Sequence, residues 1–132
     1  MAYEYLKSLN PEQTEAVIHS GSPLLILAGA GSGKTRVITT KIAYLIQHEK
    51  VLPYSILAVT FTKKAANEMK ERAIALEEES SKSMIKTFHS FGAWFLRRYA
   101  QKAGLDSAFT VCDDDDVSSL VRAAFPSLTK KV

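Results

Sequence analysis

The sequence predicts an α/β fold: a parallel sheet flanked by helices, followed by the start of a helical subdomain. Short apolar runs at 24–28 and 56–60, and a third candidate strand at 84–88, alternate with longer segments of helical period through about residue 103. Apolar runs of this length, bounded by turn signals, fit strands buried on both faces. Strand–helix alternation argues for a parallel sheet with right-handed crossovers. Beyond Gly104 the alternation stops and one amphipathic pattern remains.

The elements follow in order. Asn10 is a good N-cap, Pro11 suits the first turn, and Gln13 stands where a capping box places its reciprocal partner, so a helix is predicted over 11–19. Gly21 and Pro23 stop it. The run 24–28 is read as a buried strand. A glycine-rich loop leads into a helix over 34–47, with Val37, Ile38, Ile42, Leu45 and Ile46 on its apolar side. A second strand over 56–60 precedes a helix over 63–76 capped by Thr62. A third strand over 84–88 precedes a helix over 89–102, and a short helix over 113–125 ends in a frayed tail. Residues 1–103 thus read as one α/β unit and 104–132 as the start of a helical segment.

With 132 residues and 46% of them apolar, the chain can bury a real core. Its net charge of +3 is compatible with nucleic acid without demanding it. A single cysteine, Cys112, excludes an internal disulfide framework or cysteine-based metal cluster and fits a reducing compartment. The first residues lack a secretory pattern, and the apolar run 24–28 is far too short to span a bilayer, so a cytoplasmic protein with no membrane partner is expected.

Residues 28–35 read Ala28, Gly29, Ala30, Gly31, Ser32, Gly33, Lys34, Thr35. A strand, a loop whose N–H groups converge, and a helix N-terminus form a phosphate-binding P-loop. The glycines permit the backbone angles and the close approach. Lys34 supplies a point charge for the β- and γ-phosphates, and Thr35 is placed to ligate Mg2+. The first position carries Ala28 rather than glycine, a mild change where the strand ends. A nucleoside triphosphate with magnesium is the implied ligand.

Further blocks surround this loop. The segment 9–17 (LNPEQTEAV) precedes it, and 58–73 (AVTFTKKAANEMKERA) and 86–91 (KTFHSF) follow. Together with the loop, they resemble superfamily 1 DNA helicases of the UvrD/Rep/PcrA type, in their Q motif, Walker A, Ia and Ib blocks. The resemblance covers roughly the first hundred residues, and only loosely the tail. It implies a RecA-like P-loop lobe that binds ATP and Mg2+. It also implies single-stranded DNA or duplex/single-strand junctions as partners, with DNA repair or replication as the setting.

Carried over residue by residue, Gln13 matches the glutamine that reads the adenine edge, with a purely capping role as its alternative. Arg36 matches an arginine that stacks on adenine, with a solvated helix arginine as the alternative. Thr60, Phe61, Thr62 and Lys63 match motif Ia, and Thr87, Phe88 and His89 match motif Ib, both DNA-facing. Without the resemblance Phe61 reads as a core residue at a strand end, Thr62 as a simple cap, and His89 as structural. The basic residues Lys82, Lys86, Arg97, Arg98 and Lys102 fit a phosphate backbone or a solvated face about equally.

A P-loop motor also needs a carboxylate for the metal and cationic groups for phosphoryl transfer. The run Asp113 to Asp116 follows no buried strand and precedes a helical pattern, so N-capping explains it. The chain therefore reads as the N-terminal piece of a longer helicase, its remaining domains being further partners, and by itself it should hydrolyse ATP hardly at all. A stand-alone nucleotide-binding regulatory module and a helicase–nuclease subunit are the competing readings.

Overall fold

The computed structural model describes residues 3–127. The start of the first helix follows from its own side chains. The Asn10 carboxamide accepts from the Gln13 N–H (2.8 Å) and the Gln13 carboxamide accepts from the Asn10 N–H (3.0 Å), opening α1, Pro11–Ile18. After the phosphate-loop segment come α2 (Lys34–Gln47), β1 (Leu57–Thr60), α3 (Lys63–Leu76), β2 (Met84–Thr87), α4 (Phe88–Arg98) and α5 (Asp114–Ala124), with short 3-10 turns between several of them. The chain divides into two compact units, Met1–Phe91 and Gly92–Val132, and the cut falls inside α4.

In the first unit β1 and β2 pair in parallel, from Leu57↔Met84 to Thr60↔Thr87. α3 is the crossover between them and packs on both, while α2 lies between α1 and α3. Two apolar clusters result. Ile42, Ile56, Met69, Ala73 and Ile85 form one, and Val17, Val37 and Tyr44 form the other. Because α2 feeds both clusters, its buried arc is wider than a single stripe. Thr39 and Thr40 are buried within it, and the Thr39 hydroxyl stays satisfied by donating to the Thr35 carbonyl (3.0 Å) and the Arg36 carbonyl (3.1 Å). Ile38, expected on the apolar side, is 40% exposed instead.

The segment 24–28 corrects the sequence reading. Among the described residues the sheet has two strands, β1 and β2, and this run belongs to neither. Leu25 and Leu27 are 81% and 86% exposed, while Leu24 and Ile26 are less so. The exposure keeps a strand's two-residue alternation, but a strand is made by hydrogen bonds to a neighbour, and no described segment supplies one. Smaller differences are local. Phe88 opens α4 rather than closing β2, and Tyr99 (φ −117°, ψ 28°) breaks the helix after Arg98. A 3-10 turn over Ala100–Ala103 then runs to Gly104, whose φ of +69° suits glycine.

In the second unit, Ala100 is the one buried residue among those described. α5 opens on Asp113, whose carboxylate accepts from the Asp116 N–H (2.8 Å) and whose own N–H donates to the Asp116 carboxylate (3.3 Å). The acidic run is thus a capping box at a helix N-terminus, where negative charge is stabilising. The frayed tail expected beyond this helix lies, from residue 128 onward, outside the described residues.

One polar chain ties the N-terminal turn to the ends of α2 and α3. The Tyr5 hydroxyl donates to Gln47 Oε1 (3.0 Å), and Gln47 Nε2 donates to Glu77 Oε2 (2.5 Å) and the Leu76 carbonyl (3.4 Å). Burial, reinforced by Tyr3, Glu77 and Tyr44, pushes the Tyr5 phenol up from 10.0 to about 12. The folded state therefore holds this proton more tightly than the unfolded chain. Its contribution to stability is full below pH 10 and is lost as pH rises toward 12. Melting temperature measured across that window should fall more steeply for the wild type than for Tyr5→Phe; equal slopes would rule the network out as the cause.

Candidate nucleotide site and the adjoining strand-end edge

The phosphate loop is shaped by its glycines and its lysine. Gly31 (φ +74°) and Gly33 (φ +85°) adopt left-handed backbone that disfavours a Cβ. The Ser32 N–H and hydroxyl both donate to the Gly29 carbonyl (3.3 and 2.5 Å), closing the turn. The Lys34 ammonium folds over the loop, donating to the Ala28 carbonyl (2.8 Å) and the Gly29 carbonyl (2.9 Å). Gly33 is the N-cap of α2 and brings no capping side chain, so the first-turn N–H groups lack a side-chain acceptor. Such a terminus suits an anion. Thr35 sits half-buried in that first turn.

Gln13 reaches this loop from α1. Beyond its capping bond, its Nε2 donates to the Ser32 carbonyl (3.2 Å). It also lies against Gly33, where an added Cβ would come within 2.7 Å of the same nitrogen. Gln13, Ala28, Ser32 and Lys34 thus come together on a cleft of about 250 Å3 whose wall includes Asn10 and Val37. Arg36 lines a separate groove of about 490 Å3 with Tyr5, Ser8, Thr40 and Arg72. The capping role of Gln13 is therefore formed, and Gln13 and Arg36 do not share a pocket.

Sequence reading passed over Lys41, which holds α1 in place from α2. Its ammonium donates to the Val17 carbonyl (2.8 Å) and to the His19 carbonyl at the C-terminal end of α1. Burial pushes the Lys41 pKa down from 10.5, and Glu49 opposes that shift. α1 is thus fastened to the P-loop helix at one end by Lys41 and to the loop itself by Gln13. Lys41→Met, which keeps the aliphatic stem and removes the donor, should cost about 1–2 kcal/mol in a denaturant titration. An unchanged midpoint would mean that the carbonyls find water equally well.

The second feature lies where β1 and β2 end side by side, at Thr60 and Thr87. Phe61 and Phe88 follow directly, with ring centroids 5.3 Å apart at 39°. Phe61 is 84% exposed and Phe88 49%, so Phe61 is not the core residue that a strand-end position suggests. The Thr62 hydroxyl accepts from the Ala65 N–H (3.1 Å) at the start of α3. The Thr87 hydroxyl is buried; it accepts from the Ser90 N–H (3.0 Å) and donates to Ser90 Oγ (2.9 Å). Both threonines are therefore helix caps, Thr87 buried and Thr62 exposed, and the exposed residues of this edge are Phe61, Thr62, Lys63, Phe88 and His89. Two helix N-termini beside two exposed rings at the carboxyl ends of parallel strands form the kind of edge where α/β sheets bind ligands.

Among the described residues, no three His, Cys, Asp or Glu side chains come together to hold a metal. None of their helices is long and apolar enough to cross a membrane. Cys112 is exposed and free.

Comparison with known proteins agrees with this geometry. Residues 9–132 match the UvrD/REP helicase N-terminal domain. The chain is 49% identical over 123 residues to an ATP-dependent DNA helicase PcrA of Staphylococcus epidermidis, covering 92% of this chain and 17% of that protein. It is 50% identical over 120 residues to a probable DNA helicase II homolog of Mycoplasma capricolum, covering 90% of this chain and 17% of that one. The chain thus spans about a sixth of the length of these relatives. With the phosphate loop, Gln13 and the strand-end edge all inside the matched residues, the chain belongs to the UvrD/REP helicase family, within its N-terminal domain.

Proposed function

We propose that this chain is the ATP-binding N-terminal part of a DNA helicase that couples ATP hydrolysis to movement on single-stranded DNA and duplex unwinding. Residues 1–103 serve as part of a RecA-like motor lobe and 104–132 as the start of a helical insertion. The observation that carries this reading is the cleft where Lys34, Ser32, Ala28 and Gln13 converge beside the uncapped N-terminus of α2. Its donor set fits the group: left-handed glycines, first-turn N–H groups and a flexible ammonium suit a polyphosphate. Relatives bearing the name ATP-dependent DNA helicase support the choice of ATP.

In this reading Lys34 turns from the loop carbonyls to the β- and γ-phosphates, and the backbone N–H groups from Gly29 to Thr35 hold the phosphate oxygens. Thr35 supplies one ligand to Mg2+, and the magnesium neutralises the phosphate charge when bound. Gln13 reads adenine, while Arg36, from the neighbouring groove, offers a planar guanidinium to its face. Phe61 and Phe88 stack on bases, Thr60, Thr62, Lys63 and His89 line the path of the strand, and Thr87, buried beneath them, holds the start of α4, with the first-turn N–H groups of α3 and α4 meeting the phosphates.

Among the described residues neither β1 nor β2 ends in a carboxylate, and the acid that lines the cleft, Glu12, stands in the first turn of α1, so this chain alone should not turn over ATP. Steady-state hydrolysis with and without single-stranded DNA, with Lys34→Ala as control, decides the point. Rates equal to the control are expected. DNA-stimulated turnover that disappears in Lys34→Ala would show the chain to be self-sufficient and overturn its assignment as one part of a motor.

A further inference from the structure

The Gln13 carboxamide has a fixed number of valences, and the structure shows which are taken. A glutamine amide offers two oxygen lone pairs and two N–H donors. One lone pair of Oε1 accepts from the Asn10 main-chain N–H (3.0 Å), and one N–H of Nε2 donates to the Ser32 carbonyl (3.2 Å). Left over are one acceptor and one donor of the same carboxamide, on a half-buried residue lining the cleft. Turning the amide over would set NH2 against the Asn10 N–H and Oε1 against the Ser32 carbonyl, two like-against-like contacts in place of two bonds. Both partners are main-chain groups, so the amide is locked one way round before any ligand arrives.

The leftover pair distinguishes the purines. The N7/N6 edge of adenine presents an acceptor and a donor, whereas the matching edge of guanine presents two acceptors. A locked amide satisfies the first and sets Oε1 against the guanine carbonyl. We propose that the Asn10 main-chain N–H is a specificity-determining positioning group: with the Ser32 carbonyl, it locks Gln13 in the orientation that accepts adenine and refuses guanine. This rests on Gln13 reading the base, as proposed above, and deepens it by assigning the choice of base to the backbone that holds the side chain. Ser32 belongs to the phosphate loop, so the same amide also ties base recognition to the loop's shape.

A proline at position 10 isolates this donor. Asn10 has φ −75° and ψ 170°, and Leu9 has φ −98° and ψ 149°; these angles suit a proline and the residue before one. Asn10→Pro removes the N–H together with the capping side chain, and Asn10→Ala removes the side chain alone. ATP, GTP and inorganic tripolyphosphate are titrated against the wild-type chain and both variants. The wild type and Asn10→Ala should prefer ATP over GTP by at least about fivefold, the discrimination of one good bidentate contact. In Asn10→Pro that ratio should collapse toward one, with tripolyphosphate affinity the same in all three. A ratio retained in Asn10→Pro overturns the positioning role, while absent ATP preference in the wild type overturns the base contact itself. Loss of tripolyphosphate binding by the wild type would remove the nucleotide site and this inference with it.

Should Asn10→Pro fail to fold, the two side-chain amide protons of Gln13 report on the wild type by NMR. ATP should move one proton signal and leave the one bonded to Ser32 in place. Movement of both equally would show that the amide rotates freely and is not locked.

Discussion

Gly33→Ala is expected to weaken ATP binding by at least about tenfold and to destabilise the chain by about 1–2 kcal/mol, the cost of a Cβ in left-handed backbone. Two effects act at one position. Gly33 sits at φ +85°, and its new Cβ would come within 2.7 Å of Gln13 Nε2, displacing the amide from the loop. Gly29→Ala is the internal control for stability. Gly29 has no positive φ, and nothing lies within 4 Å of a Cβ there, so its melting temperature should stay near the wild-type value. Calorimetric melting and ATP titration of both variants test this. Equal loss of stability in the two would show that loop crowding in general, and not the Gly33–Gln13 contact, is responsible.

Phe61→Ala should cut affinity for single-stranded DNA by about five- to a hundredfold, the range for losing one aromatic–base stack. The ring is 84% exposed and touches Phe88 at 5.3 Å, so its removal takes little from the core and thermal stability should hold. Phe61→Trp should retain binding, since the indole presents a larger face. Fluorescence anisotropy with a labelled oligonucleotide reads both. Unchanged affinity in Phe61→Ala would mean that this edge holds phosphates without stacking a base, or lies off the path of the strand.

How much of this was legible in the sequence depends on how local each feature is. α2 and α3 have the bounds that their caps and periods imply, because Gly33, Thr62 and the apolar spacing all act within a few residues. The capping box of Gln13 and the N-capping role of the acidic run at Asp113 were legible for the same reason, while the reciprocal bond from Asp116 is added by the structure. The run 24–28 was not: five consecutive apolar residues say that the segment wants burial, but its hydrogen bonds depend on a partner far away in the chain. Thr39 and Thr40 look like surface residues on α2, and their burial follows from α2 being covered on two sides, which spacing along one helix does not reveal.

At the site, glycine spacing and Lys34-Thr35 pointed to the phosphate loop, and the structure adds what spacing cannot. The bond from Gln13 to Ser32 spans nineteen residues, and that from Lys41 to Val17 spans twenty-four. Arg36 lies between Lys34 and Val37, which line the cleft, yet itself lines a different groove, because successive positions on a helix point about 100° apart. Exposure of Phe61 removes the core reading, which hydrophobicity alone does not do.

The central claim is that the loop 28–35 holds the phosphates of ATP, and equilibrium titration of Mg-ATP into the 132-residue chain tests it most directly. The wild type should bind saturably, and Lys34→Ala should weaken that binding by at least about tenfold, the loss of one ammonium–phosphate contact. Binding that is absent, or indifferent to Lys34, would contradict the account.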